Sequence, residues 1–399
     1  MKNTILALDI GTSNIYAILL ALKKEGPEVL LSLSRPSAGM YKGMVKDLPE
    51  ATKSLATVLS EMEAMVGINI NRAIVSVGGE LATRAAKGMI MVSRADGQIS
   101  DEDIDRVLKI SKASSSNANR HVLHTVPRRY IVDGTAVTNP SDMKGTKLEV
   151  DCLVIDAFSQ AVHNLDKCLE NNDLKIDNYI AGPLASARGS CSKQDQEAGV
   201  INIDFGGGTT SFSVFEEDSL IHANVFPVGG CYITKDIAVF LKSSIEIAEQ
   251  VKLDYGSAFP SKGPKKEIFN LSKYPSGSAD EVFSKKELAK VIEARLEESF
   301  DFINSDLKQI GKYAKLPAGA VLSGAGAKIP GLLALAKDKL KLPVRMASGE
   351  FNGYGENENP AFIKTLGLVL TYLDGGESKM VSNRSFIEPV VKFFKNFIP

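Results

Sequence analysis

The residues best suited to chemistry lie in Val200-Ile201-Asn202-Ile203-Asp204-Phe205-Gly206-Gly207-Gly208-Thr209-Thr210-Ser211-Phe212-Ser213-Val214-Phe215. The pattern predicts a strand, a bare glycine turn, and a second strand with hydroxyls at its mouth. Glycine tolerates positive φ and lets backbone N–H groups close on a phosphate. Asp204 ends the incoming strand, where its carboxylate is placed to hold a hydrated Mg²⁺ beside that phosphate. A shorter copy stands near the N-terminus, Ile5-Leu6-Ala7-Leu8-Asp9-Ile10-Gly11-Thr12-Ser13-Asn14-Ile15-Tyr16-Ala17-Ile18-Leu19-Leu20. Two units of strand, Asp, X, Gly, hydroxyls and strand suggest two similar half-domains facing one nucleotide.

The rest of the chain must hold these two hairpins in place. At 399 residues, 44% hydrophobic and 24% charged, it has the composition of an ordinary globular protein with room for two or more domains. A net charge of −1 gives no field favouring nucleic acid, so no nucleic-acid partner is expected. The N-terminus enters a strand at once, without signal-peptide features. No apolar run reaches the roughly 18 residues that span a bilayer. Cys152, Cys168, Cys191 and Cys231 are far apart and form no C-x-x-C pair. They predict small core residues in a reducing cytoplasm.

Residues 1–34 read as a three-stranded meander, with the third strand at Glu28–Ser34. Lys46–Gly67 is predicted helical, because Leu48, Ala51, Leu55, Val58, Leu59 and Met62 recur at helical spacing. Ala73–Val77 reads as a buried strand. From residue 80 the character changes to a small separate unit. It has a strand at Ala86–Val92 and a helix opened by a capping box, Ser100 with Asp103. Strands follow at His121–Pro127, Arg128–Asp133 and Lys147–Ala157. His121 and His124 sit three apart in a strand and point to opposite faces, which argues against metal.

Gln160–Glu170 reads as a helix, and Ala181–Gly189 as a loop leading into a small-residue helix. Further helices are predicted from Thr234 through Leu241 and over Ile245–Lys252. Residues 256–280 are rich in Gly, Pro, Ser and Lys and read as an exposed excursion. Ser284–Ile310 reads as a long helix with Ser284 and Glu287 as its capping box. Ala320–Ala327 is a strand with a glycine-rich turn, Pro330 starts a helix, and Leu342–Met346 is a strand. Asn359–Tyr372 closes the body as an apolar helix.

Two Asp-X-Gly-hydroxyl hairpins and a later strand with a Gly-X-Gly turn resemble the actin and heat-shock chaperone ATPase superfamily. Within it the chain resembles the FtsA family of bacterial cell-division proteins over nearly its whole length. The stretches that carry this are the two hairpins, Val75–Gly79, Val122–Pro127, Ile292–Glu298 and Asn359-Pro360-Ala361. The resemblance implies an α/β, actin-like two-domain ATPase fold, with duplicated ribonuclease-H-like half-domains and an inserted subdomain IC. Its subdomains would be IA (1–80, 159–196 and 359–376), IC (81–158), IIA (197–238 and 316–358) and IIB (239–315).

It also implies site roles. Gly11, Thr12, Ser13 and Asn14 match the first phosphate loop. Gly206, Gly207, Gly208 and Thr209 match the second. Asp9 and Asp204 match carboxylates that hold Mg²⁺ through water. Glu249 and Lys252 match a helix that reaches the ribose of ATP, and Gly324, Ala325 and Gly326 match an adenosine loop. A lone glycine turn is also compatible with a plain hairpin; three stretches in register argue for the nucleotide. One departure is Gly182, which stands where actin-like relatives carry a Glu that positions the attacking water. Firm ATP binding with slow or no hydrolysis is therefore expected.

Residues 377–385 read as a polar tether. In 386–399, Phe386, Ile387, Val390, Val391, Phe393, Phe394, Phe397 and Ile398 fill one helical face. Glu388, Lys392, Lys395 and Asn396 fill the other. Such a helix lies in an anionic membrane interface, with Lys392 and Lys395 toward the headgroups. A docking helix covering the protein's own core is the bland alternative. The resemblance implies FtsZ, further copies of the chain in a filament, membrane lipids and other division proteins as partners. It places the chain at the cytoplasmic face of the inner membrane, at the septum. Competing readings are a PilM-like type IV pilus protein and a metabolite kinase of the same superfamily. A chaperone would need a further substrate domain.

Overall fold

The computed structural model describes residues 4–23, 26–94, 96–115, 117–259, 267–275, 277, 281–348 and 359–373. The tether and the amphipathic segment 386–399 lie outside the described residues.

The first sheet begins with the meander β1 (Thr4–Ile10), β2 (Asn14–Lys23) and β3 (Gly26–Pro36). Ile5, Leu6, Ala7 and Leu8 are all buried, as befits a central strand covered on both faces. A two-residue hairpin, β4 (Met40–Tyr41) and β5 (Met44–Val45), leads to α1 (Leu48–Val66). Asp47 caps α1 by accepting from the Glu50 N–H, and Gly67 ends it at φ 68°. Ala51, Leu55, Val58, Leu59 and Met62 form its buried face, as their spacing predicts. β6 (Arg72–Val77) then runs parallel to β1.

The inserted unit contains β7 (Leu81–Met91), α2 (Asp101–Ser114), β8 (Arg120–Val132), β9 (Thr135–Val137) and β10 (Lys147–Phe158). Its antiparallel sheet has the order β7-β10-β8-β9 and a core of its own around Ile90, Ile99, Val107, Tyr130 and Leu148. The Ser100–Asp103 capping box is present. One expectation fails here, because the two strands expected on either side of Pro127 are the single strand β8. Asp151 pairs with Arg129 and Cys152 with Pro127, so Arg128 is the extra residue of a bulge. A bulge tolerates proline's missing N–H, so the strand bends there without ending. His121 is exposed and His124 buried. They are not on opposite faces as expected: a second bulge, at Leu123, sets them opposite Ala157 and Ile155, two apart on β10 and so on one face.

After α3 (Ser159–Glu170), β11 (Lys175–Ala181) passes directly into α4 (Gly182–Ser190) without the expected loop. Pro183 in the first turn explains why none is needed. The short α5 (Lys193–Ala198) follows.

The second sheet contains β12 (Val200–Phe205), β13 (Thr210–Glu216) and β14 (Ser219–Phe226). After it come α6 (Gly230–Leu241), α7 (Ile245–Tyr255), the small pair β15 (Ile268–Asn270) and β16 (Val282–Ser284), and α8 (Lys285–Gln309). β17 (Gly319–Ser323), α9 (Leu332–Leu340), β18 (Val344–Met346) and α10 (Ile363–Leu373) complete the described chain.

Two further expectations are corrected. Ser284 makes no capping hydrogen bond to α8, because it is held in the ladder opposite Ile268. The Lys285 N–H donates to the Glu267 carbonyl instead. Pro330 does not start a helix; its carbonyl accepts from Ala258, and α9 begins after Gly331 at φ 84°.

The first sheet has the order β3-β2-β1-β6-β11 and the second β14-β13-β12-β17-β18. In both, the first three strands are antiparallel and the last two run parallel to the centre. These are two copies of one topology. Helices α4 and α10 cross between them at very short range. A Cβ on Gly367 would lie 1.7 Å from the Ala185 carbonyl, and one on Gly189 would lie 2.2 Å from that of Ile363.

Candidate nucleotide site

The two hairpins have the same internal register. Asp9 pairs with Tyr16 and Asp204 with Ser211, each seven residues on. The Gly11 N–H donates to the Asn14 carbonyl at 3.0 Å, and Gly206 donates to Thr209 at 2.9 Å. Both turns require glycine, because a Cβ would meet the accepting carbonyl at 2.7 and 2.9 Å.

The loops face one another directly. A Cβ on Gly207 would lie 2.1 Å from Ser13 Oγ, and one on Gly208 would lie 2.3 Å from Thr12 Oγ1. Thr12 Oγ1 accepts from the Gly43 N–H at 2.9 Å, and Ser13 Oγ lies 3.3 Å from Cys231 Sγ. The carbonyls of Gly206 and Gly207 accept from the N–H groups of Gly230 and Cys231 at 2.9 and 2.7 Å. The loop thus satisfies the first turn of α6, which is why that helix starts four residues before Thr234. Lys42, Lys46 and Lys235 gather over the Tyr41 ring within 6.0 Å, beside Tyr232. Sequence reading missed this basic aromatic cluster, because its members come from both halves of the fold.

Glu249 and Lys252 form an ion pair of 2.6 Å on α7. Lys252 Nζ also donates to Thr234 Oγ1 at 2.9 Å and toward the Gly230 carbonyl at 3.4 Å. The pair therefore stands against the same helix start that braces the triple-glycine loop. Gly324, Ala325 and Gly326 lie at the other edge of that strand end. A Cβ on Gly324, at φ 86°, would lie 2.4 Å from Asp204 Oδ1 and from the Phe205 carbonyl. One on Gly326 would lie 3.0 Å from Phe205.

Asp9 and Asp204 are both buried, and a residue the sequence reading missed joins them. Lys364 Nζ lies 2.8 Å from Asp204 Oδ2 and 3.5 Å from Asp9 Oδ2. Ser76 Oγ donates to the other Asp9 oxygen. Burial alone would lower the Lys364 ammonium, but the charges of Asp204 and Asp9 outweigh it and raise the group above its ordinary value. Tyr16 is raised by burial and then by the same two carboxylates. A signal for Lys364 existed, since it is the single charged residue of the apolar helix α10. A charge in a buried helix requires a partner. A Cβ on Gly182 would touch the Lys364 stem at 3.7–3.8 Å, so the expected water-positioning site abuts this lysine.

Paired carboxylates are the donors a hydrated Mg²⁺ takes. Here, however, an ammonium fills the space between them. A hydrated divalent ion does not fit between Asp9 and Asp204 with Lys364 in this position.

Residues 201–367 match the family model described as cell division protein FtsA, and residues 78–156 match the SHS2 domain inserted in FtsA. The cell division protein FtsA of Bacillus subtilis strain 168 is 33% identical over 365 residues, 91% of this chain and 82% of that one. FtsA of Pseudomonas aeruginosa is 30% identical over 407 residues, 99% of this chain and 97% of that one. Among solved structures, the PilM–PilN type IV pilus biogenesis complex has a TM-score of 0.66 at 18% identity, covering 92% of this chain and 97% of that one. MreB5 of Spiroplasma citri bound to ADP has a TM-score of 0.57 at 14% identity, covering 94% and 99%. At such identities these two show an actin-like fold and no more, whereas the relatives and the matched models agree on one family. The chain belongs to the FtsA family of cell-division proteins.

Proposed function

We propose that this chain binds ATP between its two hairpins, assembles with copies of itself, and tethers FtsZ to the cytoplasmic membrane at the division site. The observation that carries the nucleotide reading is the pair of hairpins in equal register, their glycine loops in contact at Ser13–Gly207 and Thr12–Gly208. In this reading the backbone amides of Thr12–Asn14 and Gly207–Thr209 hold the phosphates, while those of Gly11 and Gly206 close the turns. Glu249 and Lys252 reach the ribose, and Gly324–Gly326 follow the adenosine. The lysines over Tyr41 add positive charge near the first loop for an anionic ligand.

Membership of the FtsA family supports the division role and, with it, FtsZ and the filament as partners. No helix among the described residues is long and apolar enough to cross a membrane. The anchor in this proposal is the amphipathic segment 386–399. Full burial of one Phe gains about 1.5–3 kcal/mol, and ordering so short a helix offsets much of the sum. A single anchor then binds weakly, and a filament of linked anchors binds firmly. The pilus protein is a neighbour in fold at 18% identity, which lends that reading no further support. A metabolite kinase needs a carboxylate base, and both candidates here are tied to Lys364.

Electron microscopy on anionic lipid monolayers with ATP tests the proposal, comparing the full chain with one ending at Gly376. Filaments on lipid only with the tail present are expected. Filaments on lipid without the tail would refute the anchor, and none with either chain would refute the assembly.

A further inference from the structure

The reading above asks for a cation between Asp9 and Asp204, and the chain carries one of its own. We propose that Lys364 takes the place of a divalent metal in this site, so that the nucleotide binds without Mg²⁺. This inference rests on the nucleotide reading of the two hairpins.

Two observations carry it. Lys364 Nζ stands 2.8 Å from Asp204 and 3.5 Å from Asp9, one carboxylate from each half of the fold. Its side chain is only 18% exposed, and its stem runs within van der Waals reach of where a Cβ on Gly182 would stand. For a metal to enter, the ammonium would have to leave two buried carboxylates. A divalent ion entering beside it would face a like charge at short range in a low-dielectric site.

An ammonium has three donors. Two face the carboxylates, and the third serves a phosphoryl oxygen at the mouth of the loops. Asp9 and Asp204 would then orient Lys364 and take no part as ligands to a metal. Gly182 fits the same arrangement, because a glutamate there would reach for the ammonium.

The test measures the affinity of the full chain for a fluorescent ATP analogue by polarisation, in excess EDTA and in excess MgCl₂. The two dissociation constants should agree within about twofold. Binding in MgCl₂ that weakens by about tenfold or more in EDTA would overturn the inference and leave the nucleotide reading standing. No binding in either condition would overturn the nucleotide reading and the inference with it. The wild-type comparison needs no variant, so a misfolded substitution cannot decide it. Lys364→Thr, where it folds by circular dichroism, should bind at least about tenfold more weakly in EDTA than in MgCl₂. Lys364→Arg should keep binding in EDTA. A folded Lys364→Thr that is as indifferent to EDTA as the wild type would also overturn the inference.

Discussion

Gly367→Ala concentrates the fold's dependence on one helix crossing. The added Cβ would lie 1.7 Å from the Ala185 carbonyl oxygen, against the 3.4 Å at which ordinary contact begins, so α10 and α4 must part by about 1.7 Å. The backbone of α4 cannot turn aside as a flexible side chain could, and its residues from Gly182 to Ala187 are all buried. Overpacking against a backbone carbonyl falls at the upper end of the usual range, about 3 kcal/mol, while alanine's helix propensity returns about 1 kcal/mol. A net loss of ~2 kcal/mol over a chain of 399 residues corresponds to a fall in melting temperature of ~2–3 °C. Lys364 lies one turn earlier on the same helix, so displacement of α10 also draws its ammonium away from Asp204. Differential scanning calorimetry and the affinity for the ATP analogue should therefore fall together. A melting temperature within a degree of wild type, with unchanged affinity, would refute the close crossing.

Other outcomes follow from individual groups. With Gly182 in place of a water-positioning carboxylate, ATP turnover by the purified chain should stay below the order of 1 s⁻¹, the low end of typical enzymes, and a phosphate-release assay above it would refute that reading. Burial, with the Lys112 charge adding to it, lowers the His124 imidazole to about 4, and its Nε2 accepts from the Ala181 N–H at 2.9 Å. The unfolded chain takes up that proton near pH 6.5, so the stability is whole above 6.5 and is lost as pH falls toward 4, on the order of 3 kcal/mol in all. Urea midpoints at pH 7 and pH 5 should show the loss, and His124→Gln should flatten it; an equal slope in the variant would exclude His124 as the source. Removing residues 386–399 should abolish co-sedimentation with anionic liposomes, and retained binding would place the anchor elsewhere.

Much of the fold is legible in short stretches because its signals are local. Asp47 and Gly67 bracket α1 through hydrogen bonds within a turn or two of their own positions. Ser100 and Asp103 do the same for the start of α2. The two hairpins are visible because each needs its glycine for a turn closed within four residues, Gly11 to Asn14 and Gly206 to Thr209. The misses share the opposite cause. Ser284 looks like a cap until the ladder with Ile268 claims it. Pro127 looks like a strand end until pairing with β10 turns it into a bulge. Pro330 looks like a helix start until Ala258 takes its carbonyl.

By itself, then, the sequence determined the duplicated Asp-X-Gly hairpins, the α/β architecture around them and the small inserted unit. Hydrophobic period and turn chemistry act over a few residues and can be read from any copy of the chain. Tertiary structure alone decided that the hairpins meet loop to loop, that Gly189 and Gly367 let two helices touch, and that Lys364 comes to rest between Asp9 and Asp204. Those contacts join residues up to 355 positions apart, Asp9 to Lys364. No local rule encodes such a meeting, because only the packed core brings the partners within reach.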